Sequence, residues 1–319
     1  MVSTLEGARE GIETIGNHYS SPPCWAMGHN LGLKKIRERV YKVIGKSKAR
    51  SSFLFTGADM DNLSIKKERF RDMEVYALIT AGVKSNAVRM SKDEGMFYEP
   101  GTINIILLPN MKLTPRAMTR AIISATEAKT AALLDMDIRS AATPRIHRAT
   151  GTGTDNMIVV QGTGIEIENA GGHSKMGELI AKAVYEGVKE AVCKQNGLTT
   201  ERDIFQRLKE RKISLFGLVS GLKCDCFKQK SCLIGALEAA LLDHRYADFI
   251  EASFVLSDDY EKGLFSDLSS YGLWCKTISA DIAGKKIEEM ENIVESNDMP
   301  VVLKMALNAI LDGVYFKKE

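Results

Sequence analysis

A run of alternating glycine and threonine is the most conspicuous chemical feature of the sequence. It reads Thr150-Gly-Thr-Gly-Thr-Asp155 and is followed directly by an apolar strand. Glycine lets a backbone approach a ligand closely, and side chains of an extended segment alternate in direction with period two. We therefore expect Thr150, Thr152 and Thr154 to present a row of hydroxyls, one of them a nucleophile if a base lies beside it. The alternative is a glycine-rich turn whose threonines satisfy local backbone hydrogen bonds.

Three polar residues with helical spacing form a second candidate group. Thr126, Lys129 and Thr130 lie three and four residues apart in a stretch of helical periodicity, which places them on one face of a helix. Two hydroxyls and an ammonium would together form a polar stripe that faces a polar ligand. Because lysine and glutamate are ordinary helix formers, a solvated helix face is the alternative interpretation.

A third group surrounds an expected helix start. The string Ala170-Gly-Gly-His-Ser-Lys-Met-Gly-Glu178 contains His173, Lys175 and a carboxylate, and either His173 or Ser174 is expected to cap the helix. Backbone N–H groups and the positive end of the helix dipole gather at such a start, which favours anions and a neutral histidine. His173 is therefore the best candidate general base in the chain. A capping histidine without a chemical role is the alternative.

Several familiar signatures of enzymes are absent from the sequence. It contains no G-x-S-x-G nucleophile elbow, no H-E-x-x-H zinc helix, no G-x-x-x-x-G-K-[ST] phosphate loop and no G-x-G-x-x-G between a strand and a helix. Cys224, Cys226 and Cys232 supply three thiols without a fourth ligand, which is a weak zinc or iron–sulfur pattern. We interpret them as structural or adventitious thiols and expect no bound metal and no cofactor.

The composition excludes several classes of protein. Of the 319 residues, 45% are hydrophobic and 26% are charged, which is typical of a globular chain with a sizeable core. Forty-three basic and 41 acidic residues leave a net charge of +2, too small for a dedicated nucleic-acid binder. No stretch approaches the roughly 18 apolar residues that span a bilayer, and the first residues lack a basic and apolar leader, so we expect a cytoplasmic protein. Six cysteines without regular spacing indicate reduced thiols.

These candidate groups require strands and helices to position them. Four β-rich runs have the length of buried strands: Ser51–Thr56, Glu74–Thr80, Thr102–Leu108 and Met157–Gln161. A long helix is expected to begin at Thr114-Pro115, with the threonine as N-cap and the proline as first helical residue. The pattern predicts an α+β fold with a layered sheet-and-helix catalytic domain, and an αββα-like order of layers is one arrangement that fits it.

The texture of the sequence changes near Asn196-Gly197, which can end a helix in the left-handed conformation. We therefore predict a first domain over residues 1–197 and a helical C-terminal domain over residues 198–319. Helices are expected in the second domain at Asp203–Arg211, Cys232–Asp243, Ala247–Leu256, Ile282–Val294 and Met299–Gly313. This domain packs on the first, mediates dimerisation or covers a substrate, and the sequence does not choose among these roles. In the first domain, the basic stretch Leu33–Lys46 is either a solvated helix face or an anion contact.

Six strings occur in a characteristic order in the first domain. They are Thr80-Ala-Gly-Val83 with Asn86-Ala87, Gly101-Thr-Ile-Asn-Ile-Ile-Leu-Leu108, Leu113-Thr-Pro115, Thr126-Glu-Ala-Lys-Thr130, Ala149-Thr-Gly-Thr-Gly-Thr-Asp155 and Gly172-His-Ser-Lys-Met-Gly-Glu-Leu-Ile180. In this order and at these spacings they resemble the adenosylcobinamide amidohydrolase family, over roughly residues 50–195. The resemblance implies hydrolysis of the amide that links the aminopropanol arm to the corrin ring of adenosylcobinamide. The product would be adenosylcobyric acid, which re-enters coenzyme B12 synthesis as part of corrinoid salvage.

Amide hydrolysis needs an attacking group, stabilisation of the tetrahedral oxyanion and a proton for the leaving amine. On this resemblance, His173 would activate water or a threonine hydroxyl of the Gly-Thr run, and Asp155 would orient this base. The N–H groups of Gly151 and Gly153 would bind the oxyanion. Lys129 or Glu178 would handle charge on the leaving group. The expected catalytic residues are therefore His173, Thr152, Thr154, Asp155, Lys129 and Glu178. The expected substrate-binding residues are Thr80, Asn86, Asn104, Thr126, Thr130, Thr150, Gly151, Gly153 and Lys175.

Three alternatives stay open at this point. The first is a non-catalytic corrinoid-binding or regulatory module, in which the Gly-Thr run only cradles the ring. The second is a self-processing hydrolase whose internal cleavage exposes a threonine with its own amine as base. The third is a phosphate or nucleotide enzyme that uses the helix start at His173. In the first two, a small-molecule corrinoid is the expected partner and cobalt arrives only with it, and the sequence is compatible with a homo-oligomer.

Overall fold

The chain divides into two units in a computed structural model. The structure describes residues 1–21, 23–24, 26, 32–94, 101–220, 227–294 and 298–317. The first unit comprises Met1–Ala142 and Arg148–Glu201, and the second comprises Thr143–His147 and Arg202–Glu319. The second unit thus includes a five-residue segment of the N-terminal half, for which the sequence carries no signal.

A six-stranded sheet organises the first unit. Its strands, in spatial order, are β2 (Gly7–Ala8), β1 (Val2–Ser3), β11 (Asn156–Val159), β8 (Ile103–Pro109), β6 (Met73–Ala81) and β5 (Ser64–Phe70). Shorter strands pair beside it: β3 (Thr14–Tyr19) with β4 (Ser51–Thr56), β7 (Ala87–Val88) with β10 (Gly151–Thr152), and β9 (Lys112–Leu113) with β12 (Glu166–Ile167). The helices of this unit are α1 (Leu33–Val43), α2 (Pro115–Asp135) and α3 (Lys175–Asn196). Each of the four runs expected to be strands overlaps a strand of the structure, although Thr102, Val160 and Gln161 lie outside β8 and β11.

Both long helices begin, and α3 also ends, at residues whose types favour helix caps. The Thr114 side chain accepts a hydrogen bond from the Ala117 N–H, directly before Pro115 in the first helical position. Ser174, the second of the two expected caps, accepts from the Gly177 N–H at the start of α3. Gly197 ends that helix with φ 68°, a left-handed conformation that glycine adopts without steric cost. The predicted starts of both helices and the predicted end of α3 are therefore confirmed.

One face of the sheet is covered by α2 and α3. Small residues of α2, including Ala121 and Ala125, are fully buried and let the helices approach the strands closely. Ile105 of β8 and Ile180 of α3 lie in the same apolar cluster and are almost completely removed from solvent. Burial of this apolar surface is the main stabilising contribution to the unit.

The opposite face of the sheet carries the parallel pair β3 and β4. Leu54 of β4 packs with Ile106 and Ile158 of the sheet in a second, smaller apolar cluster. Beyond this pair lies α1, whose Tyr41 ring meets the Phe53 ring edge-on at 5.5 Å between centroids. The layers follow the order helices, sheet, strand pair, helix, so the α+β prediction is confirmed. Among the described residues, the second β layer has two strands.

The second unit is helical in the residues that the structure describes. Its helices are α4 (Ile204–Glu210), α5 (Leu215–Ser220), α6 (Phe227–Leu241), α7 (His244–Glu261), α8 (Ser269–Ala283) and α9 (Val301–Phe316). Across both units, the described residues include no helix that is long and apolar enough to cross a bilayer.

The expected helix at Ile282–Val294 is wrong. Helix α8 ends at Ala283, and Gly284 follows in the left-handed conformation with φ 68°. Side chains of α9 hold the chain beyond it: Asp312 accepts from the Glu291 N–H at 3.0 Å, and Asn308 accepts from the Val294 N–H at 2.7 Å. These tertiary hydrogen bonds outweigh the helical propensity of a segment rich in lysine and glutamate.

We expect Leu54→Ala to destabilise the first unit, because it opens a cavity between the strand pair and the sheet. Leu54 is fully buried, and such a truncation lowers the free energy of unfolding by about 2–5 kcal/mol. The matched control is Ile65→Ala in β5, where the side chain is 56% exposed and the loss stays below about 1 kcal/mol. Urea unfolding of the full chain measures both, and equal shifts of the first-unit transition would contradict the packing described.

Candidate active site

The Gly-Thr run lies where strands β8 and β11 begin. Gly151 pairs with Val88 and Thr152 pairs with Ala87, in the short ladder of β10 and β7. The chain then turns at Gly153 and Thr154 before β11 starts. The expected single row of three hydroxyls is therefore wrong, because Thr154 no longer belongs to the extended segment. Thr152 is buried, whereas Thr154 is exposed.

Asp155, directly after this turn, collects four hydrogen-bond donors. Its Oδ1 accepts from the Ile103 N–H at 3.0 Å and from the Thr152 hydroxyl. Its Oδ2 accepts from the Thr152 N–H at 3.1 Å and from the Lys129 ammonium. A carboxylate with this many donors is held in one orientation, and its charge is balanced within the fold.

Lys129 of α2 is buried, with 7% of the residue exposed, and forms an ion pair with Asp155. The alternative interpretation of this helix face as solvated is therefore wrong at Lys129. The neighbouring Thr130 hydroxyl donates to the Thr150 carbonyl at 3.0 Å, so two adjacent residues tie α2 to the run. Thr126 lies one turn earlier on α2 and is exposed.

Because Gly151 has no side chain, it leaves the space that the Lys129 and Asp155 ion pair occupies. A Cβ atom at this position would lie 2.5 Å from Asp155 Oδ2 and 2.6 Å from Lys129 Nζ. Both distances are shorter than any ordinary contact of a methyl group. Glycine is therefore required here because another group approaches the backbone closely, as the sequence suggested. That group is the ion pair in this structure, whereas the sequence suggested a ligand.

Asn86 and Gly153 are engaged with the surrounding backbone. The Asn86 side chain donates to the Gly101 carbonyl at 2.7 Å, and its own carbonyl accepts from the Gly153 N–H at 3.3 Å. The expected role of the Gly153 N–H as an oxyanion donor is not met in this conformation, because that N–H already has an acceptor. The Thr154 hydroxyl donates to the same Gly101 carbonyl at 3.0 Å.

Two expected substrate-binding residues lie on the other face of the sheet. Thr80 and Asn104 are each 1% exposed, and both bond to Asn17 of β3. Asn17 donates to the Thr80 hydroxyl at 2.8 Å, and Asn104 donates to the Asn17 side-chain oxygen at 2.8 Å and to the Phe55 carbonyl at 3.0 Å. They fasten the strand pair to the sheet. Sequence reasoning missed Asn17, which has no neighbouring motif to mark it.

The groups at the start of α3 are separate from this cluster. Arg120 of α2 lies against Gly171, since a Cβ at Gly171 would be 2.9 Å from Arg120 Nε. Nine residues of helix, about 13 Å of rise, separate Arg120 from Lys129. His173 is exposed and follows Gly171, so the expected juxtaposition of His173 with the threonine run is not formed.

Glu178 and Lys175 pair with each other at the same helix start. Hydrogen bonds from Lys175 and Lys182 lower the pKa of Glu178 to about 2. The Glu178 carboxyl group therefore carries no proton at neutral pH, and its expected role at the leaving group does not extend to proton donation. Lys175 also lies 4.6 Å from the centroid of the Phe70 ring.

The structure gives no support for a metal centre in the parts of the chain it covers. Cys224 and Cys226 lie outside the described residues, and Cys232 is exposed. The described residues contain no group of three or more histidine, cysteine or acidic side chains placed to hold a metal ion.

Lys129, Asp155 and Thr152 form the arrangement whose groups are best placed for acid–base or nucleophilic chemistry. We refer to these three residues as the Lys-Asp-Thr cluster. The hydroxyl hydrogen of Thr152 points to a carboxylate that can accept a proton, and an ammonium balances the charge on the other carboxylate oxygen. Sequence reasoning found all three residues but missed the Ile103 N–H, because backbone donors leave no mark in residue type.

The Lys-Asp-Thr cluster lies in the part of the chain that matches a known protein family. A model of the family described as adenosylcobinamide amidohydrolase (CbiZ) matches residues 1–200. An uncharacterized protein of Methanocaldococcus jannaschii is 44% identical over 214 residues, which cover 61% of this chain and 82% of the relative. An adenosylcobinamide amidohydrolase of Methanosarcina mazei is 33% identical over 146 residues, covering 43% of this chain. The chain spans 63% of that second relative, and no solved structure matches.

We expect Gly151→Ala to displace the ion pair, since the new methyl group would occupy the space between Lys129 and Asp155. Overpacking of this kind lowers the free energy of unfolding by about 1–3 kcal/mol. Gly172→Ala is the matched control, because a Cβ there meets no atom within 4 Å. Guanidinium unfolding compares the two variants, and a loss for Gly151→Ala no larger than for the control would contradict the described geometry.

Proposed function

The chain belongs to the adenosylcobinamide amidohydrolase family, and on that premise we propose that it hydrolyses the amide linking the aminopropanol arm to the corrin ring. The products are adenosylcobyric acid and the free amino alcohol. In this role the protein returns a salvaged corrinoid to coenzyme B12 synthesis. Support comes from the family match over residues 1–200 and from the relative that carries the name of this activity.

We place the reaction at the Lys-Asp-Thr cluster, and the observation that carries this assignment is the burial of the Lys129 and Asp155 ion pair against the Thr152 hydroxyl. Asp155 accepts the proton of the attacking group and passes it to the leaving amine. Lys129 stabilises the negative charge that develops on the tetrahedral oxyanion. An uncompensated ammonium in this place would be costly, so the pair also keeps the site assembled before substrate arrives.

The attacking group is either the Thr152 hydroxyl or a water molecule beside Asp155. In the first version an ester forms on Thr152 Oγ1, the amine leaves, and water then hydrolyses the ester. In the second version water attacks directly and Thr152 only orients the carboxylate. The exposed turn at Gly153 and Thr154 is the side from which a large corrinoid reaches the cluster, with Thr126 as a further polar anchor.

The activity itself is tested by incubating the purified full chain with adenosylcobinamide and following adenosylcobyric acid by liquid chromatography with mass detection. We expect product to accumulate over many turnovers. Tight binding without product would instead favour a non-catalytic corrinoid-binding module, and neither binding nor product would contradict the proposed function. The mass of the active chain also tests self-processing, which predicts two fragments in place of one chain of 35.2 kDa.

We expect Lys129→Met to lower kcat by about a hundredfold or more, the usual effect of removing one donor from an oxyanion site. Lys67→Met is the matched control, since Lys67 forms an exposed ion pair with Glu74 at 2.7 Å and its loss changes little. Circular dichroism shows whether both variants are folded. Equal activity of the two variants would remove Lys129 from the mechanism.

Substitutions of Thr152 distinguish the two versions of the attack. If its hydroxyl is the nucleophile, Thr152→Ser retains activity and Thr152→Val abolishes it; if water attacks, Thr152→Val keeps a measurable rate. Mass spectrometry of the quenched enzyme shows an ester adduct only in the first version.

We expect His173→Ala to lower kcat by less than about threefold, because His173 is exposed and lies apart from the cluster. The pH dependence of kcat is expected to stay the same. A loss of several orders of magnitude, as the sequence alone suggests for this residue, would show that the reaction takes place at the start of α3.

A further inference from the structure

A cavity beside α1 has no role in the proposed reaction. Its volume is about 460 Å³, and it is lined by His18, Cys24, Lys35, Ile36, Arg39, Val40, Val43 and Ile44. These residues come from β3, from α1 and from the chain around them. None of them belongs to the Lys-Asp-Thr cluster. The basic stretch that the sequence singled out as a solvated face or an anion contact is therefore one wall of a concave site.

The apolar part of this wall is only partly covered by the protein. Ile36, Val40 and Val43 recur at helical spacing on α1, and Val40 is buried at 8% exposure. Val43 is 77% exposed and Ile44 is 40% exposed. Apolar side chains that remain open at the edge of a cavity favour a ligand with an apolar group.

Two cations that pair with no carboxylate among the described residues lie beside this apolar wall. Lys35 and Arg39 are four residues apart on α1, which places them on one face, and both are exposed. Neither forms an ion pair within the described parts of the chain. Arg37, in contrast, is used in packing, with its guanidinium 5.2 Å from the centroid of the Phe55 ring. Glu38, the acidic residue of α1, is exposed and does not line the cavity.

His18 contributes its imidazole ring to the lining of the same cavity. Its ring lies 5.5 Å from the Phe55 ring, and its Nδ1 is buried without a hydrogen-bond partner among the described residues. Burial lowers the pKa of His18, so the imidazole is neutral at pH 7 and keeps one N–H donor.

We propose that this cavity binds a soluble phosphate monoester that carries a short apolar group. A phosphate monoester has about two negative charges and several acceptor oxygens, which match the Lys35 ammonium and the Arg39 guanidinium. His18 donates a further hydrogen bond to a phosphate oxygen. The apolar group lies along Ile36, Val40 and Val43. This site is independent of the amidohydrolase activity and of the Lys-Asp-Thr cluster.

The test is calorimetric titration of the full chain with hexyl phosphate, a soluble phosphate monoester with a short apolar group. We expect one ligand per chain and a weakening of about tenfold or more for Lys35→Met, the loss of one charge-assisted contact. Lys34→Met is the matched control: it removes the same charge from the adjacent, exposed position of α1 that does not line the cavity. We expect its dissociation constant to stay within about twofold of the unmodified chain.

Three outcomes would overturn the proposal as a whole, and a fourth would overturn its apolar part. The first is no heat of binding at millimolar ligand, and the second is an equal effect of Lys34→Met and Lys35→Met, which indicates unspecific attraction to a basic helix. The third is binding to phosphatidate vesicles without binding to hexyl phosphate, which indicates a lipid surface. Inorganic phosphate tests the apolar wall, and we expect it to bind about tenfold more weakly than hexyl phosphate. Equal affinities would remove the apolar group from the proposal.

Discussion

The ion pair between Lys129 and Asp155 is the interaction on which the organisation of the candidate site depends. Two charges removed from water are tolerated only when the remaining acceptor positions of the carboxylate are also filled. Here the Ile103 N–H and two donors of Thr152 fill them. One carboxylate thereby joins helix α2, the start of strand β8 and the Gly-Thr run. The ion pair passes over Gly151. A side chain at this position would occupy the space of the two charged groups, so the fold requires glycine there.

Features that depend on neighbours in sequence could be predicted from the sequence alone. Thr114 and Pro115 start α2, Ser174 starts α3 and Gly197 ends it, because each of these residues acts within one helical turn of its own position. The four buried strands were likewise recognisable from their β-branched content. The helix expected at Ile282–Val294 fails for the opposite reason, since side chains of α9 provide hydrogen bonds that no local pattern announces.

The candidate site was predictable in its residue types and only partly in its pairing. Lys129, Thr152 and Asp155 were all identified, but His173 was expected beside them on the strength of its chemistry. Asp155 stands where β11 begins, and the chain that follows β11 leads away from it toward the start of α3. Asp155 precedes β11 and His173 follows it in sequence, so the length of this strand separates the two residues. Lys129 and Asp155, by contrast, lie 26 positions apart in sequence, and the chain between them leaves α2 after Asp135 and comes back to Lys129 through β10.

The five-residue segment Thr143–His147 belongs to the second unit although the first unit surrounds it in sequence. Its Arg145 guanidinium donates to the carbonyls of Lys212 and Asp298, and the latter lies 153 residues further along the chain. During synthesis this segment emerges well before its partners, so it lacks them while strands β10 to β12 of the first unit are being made. The order of synthesis and the division into units therefore diverge at this point, three residues before the glycine-threonine run begins.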